Sequence, residues 1–195
     1  MYGGEIENIM TEYDKAHSKY NHFLGVFALD NIPVAFPYHS SPASSYNNKY
    51  SVGFIMNSDP SYKPGVHWIA ILLKSPTAFE FFDSYALPLS AYFDHSTCPH
   101  LSSFRCTHSL SRQIQSNDSD FCGQHCIFFL IHRIYLKMTF SQIIGGHFDT
   151  RNSLANDNLV TRYVCRLGYC PGQCKHSCSN NRALLQCCRS KCSCK

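Results

Sequence analysis

The stretch from Gln115 to Leu136, written QSNDSDFCGQHCIFFLIHRIYL, constrains the fold more than any other part of the chain. A polar turn leads into Cys122 and Gly123, and the apolar run that follows contains neither Pro nor Gly. Such a run predicts a helix that begins near Cys122. Because this helix is apolar on most of its sides, it has to be buried, and the rest of the chain has to fold around it.

Strand-like runs occupy the first half of the chain. They are residues 23–33, 50–57, 67–73 and 78–85, with a brief further candidate at 111–115. The runs HWIAILL (67–73) and AFEFFDSY (78–85) predict a hairpin at the centre of the sheet, joined across residues 74–77. Residues 37–50 are rich in Ser, Pro and Asn and predict a loop.

Helical periodicity lies on both sides of these strands. The predicted helices are residues 5–17, a short one at 87–93, 122–136, 139–145 capped by Thr139, and 156–167 capped by Asn156 or Asp157. Together the elements predict an α+β fold. A central mixed β-sheet packs against a buried helix that begins at Cys122, and further helices flank it.

Composition indicates one globular domain with an appendage. Hydrophobic residues make up 44% of the 195 residues and charged residues 15%, which is typical of a folded chain. We assign residues 1–167 to the folded domain and residues 168–195 to a basic, Cys-rich tail. The chain has no long uninterrupted apolar run, and its first residues, MYGGEIENIMTEYDK, are acidic and polar. We therefore expect no membrane span, no secretory signal, and a monomer in a reducing intracellular compartment.

The tail differs from the body in charge and in cysteine content. Residues 165–195 hold six Lys/Arg, no Asp/Glu, and eight of the twelve cysteines. A reducing compartment disfavours disulfides, which leaves two interpretations, a zinc site or a solvated basic appendage. The candidate zinc ligands are Cys170, Cys174, His176 and Cys178, with Cys187, Cys188, Cys192 and Cys194 as a second set. If zinc binds, the positive charge makes nucleic acid the expected partner of the tail.

Cys122 is the candidate nucleophile. At the start of a helix, N–H groups without intrahelical partners and the positive end of the macrodipole favour a thiolate over a thiol. The alternative is that Cys122 is a small buried hydrophobic residue, as most lone cysteines are. Cys126, one turn later, is expected to pack in the core or to form a redox bridge with Cys122.

Three polar residues supply what a cysteine nucleophile needs. His67 opens a strand at the sheet margin, where it can act as the base, and Asp83 ends the neighbouring strand, where it can orient the His67 ring. Gln115 lies seven residues before Cys122, where its amide can donate to an oxyanion together with the Cys122 backbone N–H. Separately, each has another explanation: a packed or surface histidine, a turn-forming aspartate and an uninformative glutamine.

The motifs GVHWIA, FFDSYALP and a Gln seven residues before CGQHC resemble the adenovirus proteinase (adenain) family. They also resemble the related enzymes of Polinton-type transposons, within the wider clan of SUMO and ubiquitin-like proteases. The segments FLGVFALDNIP and YSVGFIMN extend the resemblance upstream, so that it covers about residues 20–165. The sequence departs from the human adenovirus enzymes in having Asp where they have Glu, and its Cys-rich tail has no counterpart in the family.

The resemblance implies a cysteine endopeptidase that hydrolyses peptide bonds through a thioester. It implies that His67 is the general base, Asp83 its orienting partner, Gln115 the oxyanion donor and Cys122 the nucleophile, and we assign Trp68 and Gly123 to substrate binding. The substrate is expected to be a viral or transposon structural precursor, cut after small, Gly-type residues.

The resemblance also bears on cofactors and location. The chemistry itself requires no cofactor, but the resemblance implies an activating peptide and DNA. For a viral enzyme the location would be the host nucleus or the virion. Cys106 lies in the region where adenain carries the cysteine that bonds its activating peptide, although the spacing to Gln115 differs by two residues.

Two other functions remain open. One is a deubiquitinase or deSUMOylase that acts on host conjugates with the same catalytic residues. The other is an inactive protease-like protein that binds nucleic acid through its tail. His125, His132 and His147 have no partner that the sequence identifies, and we expect them to be structural or exposed.

Overall fold

A computed structural model describes residues 1–19, 22–32, 51–75, 77–93 and 105–168. The helices are α1 (Gly3–His17), α2 (Cys122–Ile134), α3 (Phe140–His147) and α4 (Ser153–Arg166). The strands are β1 (Phe23–Phe27), β2 (Val52–Asn57), β3 (Trp68–Ser75), β4 (Ala78–Phe82) and β5 (Arg105–His108), and short 3-10 turns span Leu29–Asn31 and Leu89–Ala91. The predicted loop at 37–50 and the tail beyond residue 168 lie outside the described residues.

The five strands form one mixed sheet in the order β1-β2-β3-β4-β5. β2, β3 and β4 are antiparallel neighbours, whereas β1 pairs with β2, and β5 with β4, in parallel. The predicted α+β class and the central hairpin are therefore confirmed. None of the helices in the described part of the chain is long and apolar enough to cross a bilayer.

Both faces of the central strands are covered, which explains why they are continuously apolar. Ala70 and Leu72 of β3 and Phe82 of β4 pack toward α2, in a cluster that includes Phe128 and Phe129. The alternate residues form a second cluster on the other face, which contains Leu29, Phe54, Met56, Ile69, Ile71, Leu73, Phe79 and Phe81. Every residue of α2 is buried, as its sequence predicts.

Close contact between α2 and the sheet requires a small residue on β2. A Cβ atom on Gly53 would lie 2.8 Å from Leu130 Cδ2 and 3.1 Å from Ile134 Cδ1. Real Cβ atoms do not approach other atoms as closely as 2.8 Å, so a side chain at position 53 would have to displace the tip of Leu130. The glycine thereby leaves room for the side chains of α2 to pack directly on β2.

The fifth strand is not where the sequence predicted it. Residues 111–115 form no strand, because the N–H groups of Ile114 and Gln115 donate to Ser84 O, at 2.9 and 3.2 Å, and tie the segment to a turn. The fifth strand is instead β5, whose sequence RCTH is polar and largely exposed. An exposed edge strand lacks the apolar pattern by which buried strands are predicted.

The last helix begins three residues earlier than predicted. Asn152 is its N-cap and accepts a hydrogen bond from Ala155 N at 3.0 Å. Asn156 and Asp157, the predicted caps, lie inside the helix and are 2% and 1% exposed. The segment NSLANDN offers several cap residues, and local propensity does not distinguish between them. The cap predicted at Thr139 is confirmed, since it accepts from Gln142 N.

Candidate active site

Cys122 is the first residue of α2 and is 6% exposed. The side chain of Phe121, at the N-cap, makes no capping hydrogen bond. The first hydrogen bond of the helix is donated by His125 N to Phe121 O, at 3.0 Å. The N–H groups of residues 122–124 therefore point out of the helix end, where the partial positive charge of the helix favours an anion. A negative charge that develops beside Cys122 would be stabilised there.

The hairpin of β3 and β4 brings a histidine and an aspartate together at one end of the sheet. His67 directly precedes β3 and Asp83 directly follows β4, and the register that pairs Ala70 with Phe82 sets the two ends side by side. His67 Nε2 lies 2.6 Å from Asp83 Oδ1, and the two residues are 6% and 0% exposed. Since an ionised carboxylate can only accept, Nε2 is the donor in this hydrogen bond. Nδ1, the other ring nitrogen, does not bind Asp83.

Asp83 is held in place by four donors. Besides His67, it accepts from Tyr85 N at 2.9 Å, Leu87 N at 3.0 Å and the Tyr92 hydroxyl at 2.9 Å. Four donors around one buried carboxylate fix its orientation. Tyr92 was missed by the sequence analysis, because nothing in its local sequence indicates that its hydroxyl reaches the acid.

Cys122 also interacts with His67. Burial of His67 opposes its charged form, but the hydrogen bonds and negative charges of Asp83 and Cys122 outweigh burial and raise the pKa of His67 to about 9. Nδ1 is buried and makes no regular hydrogen bond within the described residues. The sulfur thus interacts with the His67 ring without a well-formed hydrogen bond to Nδ1.

Gln115 reaches the same region but its amide is already occupied. It is 0% exposed, and its Oε1 accepts from the Ser84 hydroxyl at 2.6 Å. Its Nε2 donates to Tyr85 Oη at 3.1 Å and to Ser119 O at 2.8 Å. Tyr85 in turn packs against His67, with ring centroids 4.8 Å apart. Gln115 therefore joins the loop before α2 to the turn that carries Asp83 and Tyr85.

Trp68 and Gly123 are in contact. A Cβ on Gly123 would lie 3.4 Å from Trp68 Cδ1 and 3.0 Å from Ile6 Cδ1, so glycine allows α1 and β3 to approach the start of α2. Trp68 Nε1 donates to Met1 O at 3.1 Å. Beside Trp68 a groove of about 420 Å³ runs between the start of α1 and the loop before His67, past Val26.

The remaining cysteines of the described chain form neither a disulfide nor a metal site with one another. Cys126 is buried in the core and Cys106 lies on β5, and neither forms a disulfide with another described residue. In the described part of the chain no three His, Cys, Asp or Glu side chains are grouped to hold a metal. The predicted tail ligands Cys170, Cys174, His176 and Cys178 lie outside that part.

Two histidines that the sequence left without partners are buried in the core. His125 Nε2 lies 2.8 Å from Asp157 Oδ1, and His132 Nδ1 lies 2.7 Å from Phe128 O. His132 also packs near His147, with ring centroids 5.0 Å apart. Asp157 was proposed only as a helix cap, and the sequence spacing gives no signal that it meets His125.

The chain matches no protein-family model and no curated protein sequence. Among solved structures it is similar to the ASFV pS273R protease, at 16% identity and a TM-score of 0.43, over 82% of this chain and 66% of that chain. It is also similar to the central domain of the Lpg1148 protein of Legionella pneumophila, at 15% identity and a TM-score of 0.49, over 95% of this chain and 98% of that domain. Similarity at this level does not assign a function, so the chemistry is inferred from the residues of the site.

Proposed function

We propose that the protein is a cysteine endopeptidase that hydrolyses peptide bonds through a thioester acyl-enzyme. The observation that carries this proposal is the arrangement of three groups. Cys122 begins a buried helix, the His67 ring interacts with its sulfur, and the far nitrogen of that ring binds a fully buried Asp83 at 2.6 Å. A nucleophile, a base and an orienting acid in this order are what covalent acyl transfer needs.

The proposed first half-reaction forms the thioester. The Cys122 sulfur, as a thiolate beside the His67 imidazolium, attacks the peptide carbonyl carbon and forms a C–S bond, and the carbonyl electron pair moves to oxygen. As the tetrahedral intermediate collapses, His67 Nδ1 gives its proton to the amine nitrogen and the C–N bond breaks. In the second half, water attacks the thioester, His67 takes the proton of that water, and the C–S bond breaks.

We assign oxyanion stabilisation to the backbone N–H of Cys122 and to the Gln115 amide. The helix end presents its first N–H groups at the sulfur, which supports the backbone part of this assignment. For Gln115 to donate, it has to exchange one of its hydrogen bonds, and the bond to Tyr85 Oη is the longer at 3.1 Å, against 2.8 Å to Ser119 O. Loss of one oxyanion donor typically costs about 10²–10³ in rate.

The groove beside Trp68 is the proposed binding site for the polypeptide. Its lining includes Gly65 and Trp68, which lie on either side of His67 in the sequence, but not His67 itself. Three of the most exposed large hydrophobic side chains of the described chain, Tyr2, Tyr62 and Val66, are sequence neighbours of lining residues. We propose small, Gly-type residues before the scissile bond and a viral or transposon precursor as the substrate. A peptide or DNA activator, and nucleic acid bound by the basic tail, belong to the same proposal.

The test is covalent labelling of the full chain by an electrophilic peptide that ends in Gly-Gly. We expect labelling of the wild type and none of Cys122→Ala. The matched control is Cys126→Ala, which removes a sulfur one turn further along α2 and should still be labelled. Labelling that survives in Cys122→Ala, or no labelling of the wild type, contradicts the proposal.

Cleavage of substrates separates the endopeptidase from its rivals. Gly-X-Gly peptides should be cut while ubiquitin and SUMO fusions remain intact, and cleavage of the fusions would indicate a deconjugating enzyme instead. A chain that retains DNA or RNA but leaves Cys122 unlabelled would be the inactive nucleic-acid-binding protein.

A further inference from the structure

A second buried histidine–aspartate pair lies behind the candidate active site. His125 is on α2, three residues after Cys122, and its Nε2 lies 2.8 Å from Asp157 Oδ1 of α4. His125 is 0% exposed and Asp157 is 1% exposed. The pair therefore lies within the interface between the helix of the nucleophile and the last helix.

Asp157 also binds the loop that leads to the nucleophile. Its second oxygen, Oδ2, accepts from Ser116 N at 3.2 Å. On the other side of Gln115, Ile114 O accepts from Asn156 Nδ2 at 2.9 Å. Both backbone neighbours of Gln115 are thus held by adjacent side chains of α4. The single Asp157 carboxylate connects this loop to α2 through His125.

We propose that Asp157, acting through His125, is a positioning residue for catalysis. It fixes the loop of Gln115 against the first turn of α2, so that Gln115 has to exchange only one hydrogen bond to donate to the oxyanion. This inference rests on the proposed function, because it concerns the same site. Nothing in the pair touches the reacting atoms, and its effect is carried by the geometry of the loop.

The charge state of the pair fits this role. Burial lowers the pKa of His125, Asp157 opposes that effect, and the positive charge of His67 lowers the pKa further. Nδ1 of His125 is buried with no hydrogen-bond partner among the described residues, so protonation would bury an N–H without an acceptor. His125 is therefore neutral. It donates one hydrogen bond to Asp157 without placing a second positive charge near His67.

Two reactions of the full chain separate positioning from nucleophile activation. Acylation of Cys122 by p-nitrophenyl acetate passes through an oxyanion, whereas its alkylation by iodoacetamide needs the thiolate but forms none. Acylation is followed by release of p-nitrophenol, with Cys122→Ala as the background. Alkylation is followed by mass spectrometry of the peptide that contains Cys122, since the chain has other cysteines.

The test variant is Asp157→Asn, which keeps the size of the side chain but cannot accept from both donors. We expect acylation to fall roughly 10- to 100-fold, while alkylation stays within about twofold of the wild type. The matched control is Glu80→Gln, at a buried carboxylate that binds Arg133 near the other end of α2 at 2.6 Å. It should reduce thermal stability and leave both rates within about twofold.

A second variant covers the case in which Asp157→Asn does not fold. His125→Phe with Asp157→Leu replaces the pair by apolar groups, which a packed interface tolerates well, and leaves Ser116 N without its acceptor. It should show the same selective loss of acylation. Equal losses in both reactions, or no loss in either, would overturn the inference. If the wild type shows no acylation that depends on Cys122, the proposed function fails, and the inference with it.

Discussion

Among the described residues, the buried pairs His67–Asp83 and His125–Asp157 differ in the direction in which the pKa of the histidine is shifted. Asp83 and Cys122 both favour a charged His67 and raise its pKa to about 9. Burial prevails for His125, whose pKa is lowered although Asp157 lies 2.8 Å from its ring. A carboxylate is therefore not enough to charge a buried histidine.

The second partner makes the difference. His67 interacts with both an acid and a sulfur, and both favour its charged form. His125 has one acid, no partner for Nδ1 among the described residues, and the positive charge of His67 nearby. One pair is suited to hold and transfer a proton, and the other is suited to hold two backbone segments together.

The largest expected effect is the difference in acylation rate between two variants in which the histidine of each pair is replaced by Gln. His67→Gln removes the proposed general acid and base, so acylation of Cys122 should fall by about 10²–10⁴. His125→Gln keeps an N–H donor that can reach Asp157, and it should stay within about tenfold of the wild type. The measurement is p-nitrophenol release with Cys122→Ala subtracted. Comparable losses in the two variants would mean that the pairs do not have different roles.

The second prediction concerns pH. Cleavage of a Gly-X-Gly peptide requires a protonated His67 to release the amine, so the rate should decline as the pH rises through about 9. Asp83→Asn removes the charge that favours the imidazolium, and the decline should move to lower pH. The pH–rate profiles of both enzymes test this, and identical alkaline limbs would show that Asp83 does not set the charge of His67.

The same shift predicts how folding stability depends on pH. Because the pKa of His67 is higher in the folded protein than the ordinary value of 6.5, its contribution to stability is complete below about 6.5. That contribution is lost as the pH rises through about 9. Thermal unfolding of the wild type and of Asp83→Asn, each at pH 6 and at pH 10, should show the smaller difference between the two proteins at pH 10.

The smallest expected effect is that of Tyr92→Phe. The substitution removes one of four donors to Asp83 and leaves the bond to His67 at 2.6 Å. The rate of cleavage should therefore fall by less than about tenfold, since the other three donors remain and keep the carboxylate in place. Tyr85→Phe is the comparison, because Tyr85 Oη binds Gln115 and not the acid. A loss for Tyr92→Phe as large as that for His67→Gln would give Tyr92 a direct role.

Much of the fold followed from local patterns. The buried helix from Cys122, the β3–β4 hairpin and the cap at Thr139 were predicted because each has a strong local signal, apolar periodicity or cap chemistry. The exposed strand β5 and the start of α4 were not. Pairing of a polar edge strand depends on a neighbour far along the chain, and one of several possible caps is selected only by packing.

The candidate site was predictable to the extent that its residues have separate settings in the sequence. A cysteine after a polar turn, a histidine at the start of an apolar strand and an aspartate at the end of the next strand indicated where chemistry was possible. The hydroxyl of Tyr92 on Asp83 and the bond between His125 and Asp157 were not predictable, since the partners are 9 and 32 residues apart with no motif between them.

The sequence by itself determined the buried helix, the central hairpin and the types of residue available for chemistry, because hydrophobic periodicity and helix capping act over a few residues. Only the tertiary structure decided which histidine is charged and which is neutral. The charge of a buried imidazole depends on every group packed around it, and those groups come from distant parts of the chain.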